Sequence, residues 1–376
     1  GLGTLGKEIL KHPIERLDYC QIDPAITRIE EESIPGLREI MKDKRVNVRH
    51  IDGRRFVVKA KPESYDVIIV AVGDPEIAQL NRFYTSDFFL KVRRILKPHG
   101  ILGFATGEYA NYLSPFMLRY LNCIRKSLEV AFEEIEVLPL GRFYFLASAD
   151  LDLFTDPQNF ILRLNQRGIK TRYLREYYLP FNLTQERLEG IRRAFAGPYG
   201  SAEERGGLIH TGLPINRDLE PVAYFYTMLL WTSLFPGRGE GVFEAMSKIH
   251  FSQAVIFLIL LFVVAVLVSK MRKAFGFPLA VGAMGLVGIV LEIAVLISAQ
   301  ITYGYIFYLL GFIVTAYMVG LSIGAFFAGL LVDRGTVRFR SFFINAVLLT
   351  LLPLLFIPLL YVVLPHLGEI SGIALL

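Results

Sequence analysis

The chain has 376 residues, 40 lysines and arginines against 35 aspartates and glutamates, and a mean hydropathy of +0.45. Its charge is uneven: residues 251–376 hold only Lys270, Arg272, Lys273, Arg334, Arg338 and Arg340 against Glu292, Asp333 and Glu369, which leaves 34 basic and 32 acidic residues in 1–250. That near balance excludes the basic face of a nucleic-acid binder; two cysteines, Cys20 and Cys123, exclude a disulfide framework; and no Cys/His cluster has zinc spacing, so no metal is expected.

The first element in chain order is glycine-rich. Gly1, Gly3 and Gly6 precede or open an amphipathic helix expected over Leu5–His12. Glycines admit close backbone approach, and a helix N-terminus offers unpaired N–H groups to a ligand. Such a turn needs a strand before it, and no strand precedes Gly1, so the chain reads as a fragment lacking the first strand. A strand over Arg16–Ile22 follows and ends in Gln21-Ile22-Asp23-Pro24. A polar side chain about 20 residues after the first glycine is where a ribose hydroxyl is held, which nominates Gln21 and Asp23. Alone, this pattern fits a dinucleotide enzyme as well as one using an adenosyl sulfonium.

Val46–Ile51 reads as a strand leading into Asp52-Gly53-Arg54-Arg55-Phe56. The nearly unbroken apolar run Tyr65–Val72 reads as a parallel strand buried on both faces, ending at Gly73-Asp74-Pro75. A helix is expected over Phe88–Leu96, a turn at Lys97–Gly100 and a strand over Ile101–Ala105, with Glu108 and Tyr109 at its end. Phe132–Leu138 and Arg142–Ala147 form a hairpin pattern across Pro139-Leu140-Gly141.

This order resembles the spermidine/spermine synthase family. The runs GLGTLGKEILKHP, CQID, DGRRF, YDVIIV, GDP and LKPHG occur in the family's order and spacing. DPEIAQLNRFYTSDFF and PINRDLEPVAYFY look closer to a subgroup fused to membrane helices. The resemblance implies a Rossmann-like, methyltransferase-type α/β domain. It implies transfer of an aminopropyl group from decarboxylated S-adenosylmethionine (or use of S-adenosylmethionine) to a polyamine, with no tightly bound cofactor. Carried over by position, Gly1, Gly3 and Gly6 surround the donor and Gln21 replaces the ribose-binding acid. Asp52 with Gly53 then lies at the adenine, and Asp74 faces the acceptor amine. Tyr177 and Tyr178 match an aromatic pair near the amine pocket. Two departures bear on activity. Ala71 stands where the resemblance places the proton-accepting aspartate, and Leu2 replaces an acid in the glycine loop. An alanine accepts no proton, so the catalytic residue is unknown. Asp52 and Asp74 equally suit a purely capping role after their strands.

Four apolar stretches have about the length of a bilayer span: 251–269, 278–300, 305–332 and 342–364. They imply an all-α transmembrane domain over 251–376, a synthase-like domain over 1–225, and a linker or interfacial segment over 226–250. Val222–Phe235 is apolar but short, suited to an interface or to packing on the first domain. Glu292 lies mid-span, where a carboxylate is costly and therefore a functional candidate. Gly320 to Gly324 is a small-residue stripe suited to helix packing. Gly329–Gly335 resembles a loop of major-facilitator transporters. The basic loops 270–273 and 334–340 fall on one side of the membrane. The expected setting is an integral protein of a bacterial inner membrane, in contact with the lipid bilayer, with a homo-oligomer as a possible assembly. A transporter or sensor with a non-catalytic nucleoside- or polyamine-binding domain is the alternative reading.

Overall fold

The computed structural model describes residues 2–34, 36–108, 113–153, 156–171, 174, 176–196, 214–218, 220–233, 273–303 and 307–333. Contacts divide the chain into two units, Gly1–Gly237 and Arg238–Leu376.

The first unit is α/β. Two short strands, β1 (Leu17–Cys20) and β2 (Val46–Arg49), pair in parallel with Leu17 opposite Val46. Helices α2 (Pro24–Ser33) and α3 (Leu37–Lys42) make the crossover that a parallel pair requires. Helix α4 (Gly53–Lys59) then leads to a four-stranded sheet of order β3-β4-β6-β5. In it β3 (Tyr65–Val70) runs parallel to β4 (Leu96–Glu108), while β6 (Arg142–Ser148) is antiparallel to β4 and to β5 (Glu134–Pro139). Helices α5 (Ala78–Asn81) and α6 (Ser86–Ile95) connect β3 to β4, and α7 (Pro115–Glu129) connects β4 to β5. A parallel half closed by an antiparallel hairpin is a Rossmann-like, methyltransferase-type sheet. The core follows from residue type: Phe104 on β4 sits opposite Phe145 on β6, with ring centroids 5.1 Å apart, and Phe89 of α6 stacks on Phe104 at 5.8 Å. Such offset aromatic layers add to the area that they bury.

The hairpin forms where expected, with Pro139 opposite Phe143 and Gly141 in the left-handed region at φ 85°. Other expectations need correction. Helix α1 spans Leu2–Ile9, so Gly3 and Gly6 lie in its first turns rather than in a loop before it; Gly1 lies outside the described residues. β3 is not buried on both faces, since Val67 and Ile69 are 56% and 44% exposed. Its apolar run reflects one face packed on the core through Ile68 and Val70 and a second face left uncovered. Among the described residues β1 pairs only with β2, and β3 only with β4. The turn at Lys97–Gly100 is an excursion inside β4, between the pairs Tyr65–Leu96 and Val67–Ile101, with His99 at φ 61°.

Beyond the sheet lie α8 (Pro157–Gln166), α9 (Tyr178–Asn182), α10 (Gln185–Ala196) and α11 (Val222–Ser233). The apolar Val222–Ser233 helix packs into the core through Ala223, Val222 and Tyr226. Of the two uses that its sequence allowed, packing on the first domain is the one seen.

The second unit contains α12 (Lys273–Tyr303), which encloses the expected 278–300 stretch, and α13 (Phe307–Asp333), which covers 307–332 of the expected 305–332 stretch; residues 304–306 lie outside the described residues. Among the described residues one stretch, Leu310–Phe327, is long and apolar enough to cross a membrane. Where α12 meets α13, a Cβ on Gly288 would lie 2.6 Å from Tyr317 Oη, so the tyrosine would have to shift to admit one. Among the described residues a Cβ at Gly320 or Gly324 meets nothing within 4 Å. Glu292 is half-buried on α12. Stretches 251–269 and 342–364, and the end of Gly329–Gly335, lie outside the described residues.

Candidate functional site

Each residue expected at the ligand edge follows the carboxyl end of a strand. Gln21 comes directly after β1, Asp52 three residues after β2, and Asp74 four residues after β3. The first two are close together: a Cβ on Gly53 would touch Cys20 at 4.0 Å and Phe83 at 3.6 Å. Both are ordinary contacts, and Gly53 has no positive φ, so clearance alone does not demand the glycine.

Asp52 is not an open ligand. It caps α4, accepting from Arg54 N and Arg55 N at 3.1 Å each, and it is 6% exposed. Arg82 grips it through both guanidinium nitrogens, Nη1 at 3.1 Å and Nη2 more closely. Arg82 in turn donates Nε–H to Gln79 O at 3.0 Å. The negative end of Asp52 is therefore held by the protein, and what it presents outward is the turn that it caps. Asp23, nominated with Gln21 for ribose, caps α2 by accepting from Ala25 N at 2.7 Å, while Gln21 Oε1 accepts from Ile22 N at 3.1 Å. Burial, then the charges of Asp18 and Asp52, push the Cys20 thiol up to about 12.

A second polar layer lies under this edge. Arg54 donates to Arg82 O at 2.7 Å and to Asp218 Oδ1 at 2.8 Å, and its other Nη closes a bidentate pair with Asp218. Thr85 Oγ1 donates to the same carboxylate at 2.7 Å. Two residues earlier, buried Asn216 donates to Asn81 Oδ1 at 3.1 Å and Tyr84 O at 2.8 Å and accepts from Ala223 N at 3.2 Å. The segment before α11 is thus a strap, tied through Asn216 and Asp218 to Asn81, Tyr84, Thr85 and Arg54, beside the turn that Asp52 caps. The sequence reading singled out this segment without seeing what it holds; its signal was a cluster of polar residues just before an apolar helix.

Asp74 occupies a different cluster. Its Oδ1 accepts from Thr106 Oγ1 at 3.0 Å and from Arg142 Nη2, and Gly107 N lies 3.3 Å from both oxygens. The side chains of Asp74 and Arg142 are 21% and 39% exposed. Beneath them Thr106 is bonded to the Tyr120 hydroxyl, and Tyr84 donates to Gly73 O at 2.9 Å. Burial first, and the Asp74 charge second, raise both tyrosine hydroxyls above their ordinary value, so neither is a ready base near neutrality. Asp74 therefore meets a guanidinium of the chain itself rather than standing open to a cation. Ala71 lies just past β3 on the same edge. Glu108 is exposed and opposite Arg142 in register; Tyr109 lies outside the described residues.

The aromatic pair separates: Tyr177 is 75% exposed, while Tyr178 packs with Leu138, Leu179 and Leu183. A cavity of about 390 Å³ adjoins this group, lined by His12, Leu138, Leu140, Phe160, Arg163 and Leu183 among others, with no carboxylate among its lining residues. That lining offers no acidic partner to a polycation.

Residues 1–138 match the spermine/spermidine synthase domain. A polyamine aminopropyltransferase of Halorhodospira halophila is 36% identical over 97 residues, covering 26% of this chain and 34% of the relative. One of Thermoanaerobacter sp. is 36% identical over 146 residues, covering 38% and 48%. The chain thus spans about a third to a half of the length of these two relatives. The solved spermidine synthase from Thermotoga maritima overlaps 52% of this chain and 65% of its own, at 19% identity and a TM-score of 0.41. The match to the spermine/spermidine synthase domain is confined to residues 1–138.

Proposed function

We propose that the first unit transfers an aminopropyl group from decarboxylated S-adenosylmethionine to an amine. The observation that carries this reading is the match of residues 1–138 to the synthase domain, whose named relatives are polyamine aminopropyltransferases. A polyamine is the acceptor that those relatives suggest. Gln21 takes the ribose, the turn capped by Asp52 takes the adenine, and Asp74 orients the acceptor. In the reaction the amine nitrogen bonds to the terminal carbon of the aminopropyl chain. The C–S bond breaks, and its electron pair stays on sulfur as a neutral thioether, methylthioadenosine. The surplus amine proton leaves to water, because Ala71 offers no acceptor. Holding donor and amine in line supplies most of the acceleration, since the sulfonium is already a good leaving group.

The second unit is proposed to hold the protein at a bilayer, with a synthase-like domain over 1–225, a linker over 226–250 and membrane helices over 251–376. The apolar stretch Leu310–Phe327 supports this part of the reading.

The test is incubation of the full chain with decarboxylated S-adenosylmethionine and putrescine. Release of methylthioadenosine, dependent on the amine and matched by aminopropylated product, is the expected result. Donor binding without methylthioadenosine over a panel of amines overturns it. Carbonate washing of cell membranes tests attachment: the chain is expected to stay in the pellet, and its release contradicts the bilayer reading.

A further inference from the structure

The cavity of about 390 Å³ shares no lining residue with the Asp52 or Asp74 cluster. Leu138 and Leu140 line it from the end of β5 and the turn into β6, Phe160 and Leu164 from α8, and Leu183 from the end of α9. Leu138 and Leu183 belong to a small core cluster separate from the one around Phe104, with Leu140 and Phe160 packed against it. The hollow opens to solvent beside Leu174, which is 39% exposed. Its volume lies at the lower end of the roughly 300–1,000 Å³ of ligand pockets.

The charged residues of the lining are all basic. Arg163 and Arg167 are four apart and so share one face of α8 and its end; His12 joins them from just after α1. Both guanidinium side chains are exposed, and among the described residues neither has a carboxylate partner. Glu8 on α1 is already paired with Lys11 at 2.7 Å. The surrounding sequence keeps the same sign: residues 157–183 hold Arg163, Arg167, Lys170, Arg172 and Arg175 against Glu176 alone. An apolar hollow rimmed by cations is complementary to a hydrocarbon chain that ends in an anion. A polyamine meets the wrong charge there, and a neutral chain leaves the guanidinium groups unused.

We propose that this cavity binds a single-chain amphiphilic carboxylate, with its chain against the leucines and its head group at Arg163 and Arg167. A guanidinium suits a carboxylate because its fork matches both oxygens. The site is independent of aminopropyl transfer and needs no catalytic step.

The probe is decanoate carrying a photoreactive diazirine at the end of its chain. It is added to the full chain in a neutral detergent and irradiated, and the labelled residues are read by mass spectrometry. Label is expected within residues 138–140, 160–164 and 179–183, and an excess of plain decanoate is expected to remove it. Decanol, with the same chain and no charge, is expected to compete about 10-fold less well, the scale of one hydrogen bond to a charged group. Arg163→Gln combined with Arg167→Gln is expected to lower the labelling affinity by a similar factor. Because both side chains are exposed, the unfolding midpoint of this double variant should match wild type, which separates lost binding from lost fold. Label confined to residues 273–333 overturns the inference, since the chain would then merely partition onto the apolar helices of the second unit. Equal competition by decanol and decanoate, or unchanged labelling in the double variant, also overturns it: the arginines would then be solvated charges covering apolar surface with their stems.

Discussion

Removing Asp218 should loosen the whole edge that carries the turn capped by Asp52. Asp218→Ala leaves Arg54, whose side chain is 7% exposed, without its bidentate partner, and it also strips Thr85 of its 2.7 Å bond. Breaking a buried ion pair from one side costs about 3–5 kcal/mol. The 18% exposure of Asp218 and the remaining bond from Arg54 to Arg82 O put this case at the lower end, about 3 kcal/mol. For a unit of this size that corresponds to a fall of about 6–12 °C in the unfolding midpoint. The chain's single tryptophan, Trp231, lies on α11, the helix that follows the strap, so its fluorescence on heating reports the unit concerned. The double variant Arg54→Met with Asp218→Leu should be milder than Asp218→Ala, because it removes both charges together. A midpoint for Asp218→Ala within about 2 °C of wild type, well below the shift expected for such a loss, would refute the idea that the strap holds the donor edge. So would a double variant worse than the single one.

The absence of a base at Ala71 predicts a pH profile: kcat/KM should rise about 10-fold per pH unit toward the acceptor amine's pKa, near about 10, because only the neutral amine reacts. Ala71→Asp should flatten that slope and raise the rate near neutrality by about 10²-fold or more; an unchanged profile would show that the proton is already accepted elsewhere. Cys20, with its thiol pushed up to about 12, is expected to react with iodoacetamide at pH 8 at least about 10²-fold more slowly than a free thiol, since the thiolate is the nucleophile. Fast labelling there would show that the floor beside Asp52 is open. In the second unit Gly288→Leu is expected to lower the unfolding midpoint through its contact with Tyr317, while Gly285→Leu, where a Cβ meets nothing within 4 Å among the described residues, is expected to leave it unchanged; equal midpoints for the two variants would show that Tyr317 simply moves aside.

What the sequence disclosed is local. The β5–β6 hairpin was readable because Pro139-Leu140-Gly141 punctuates two β-prone runs, and Gly141 takes the left-handed φ that such a turn requires. Asp52 and Asp74 were readable as strand-end acids, because a polar residue after an apolar run marks the ligand edge. Their partners were not readable. Arg82 is 30 residues from Asp52, Arg142 is 68 from Asp74 and Asp218 is 164 from Arg54, so only the assembled fold brings them together. The same limit explains β3. An unbroken apolar run fits a strand covered on both faces, but Val67 and Ile69 are exposed, and coverage is a property of neighbours rather than of the run itself. The glycine positions show the converse case: Gly3 and Gly6 were read as loop, yet nothing in their spacing prevents the helix from starting at Leu2.

The central claim is that this edge binds an adenosyl sulfonium, and calorimetric titration of the full chain with decarboxylated S-adenosylmethionine, S-adenosylmethionine and NAD tests it most directly. The account predicts saturable binding of decarboxylated S-adenosylmethionine, competition by methylthioadenosine and no heat from NAD. Binding of NAD with no binding of either sulfonium would contradict it.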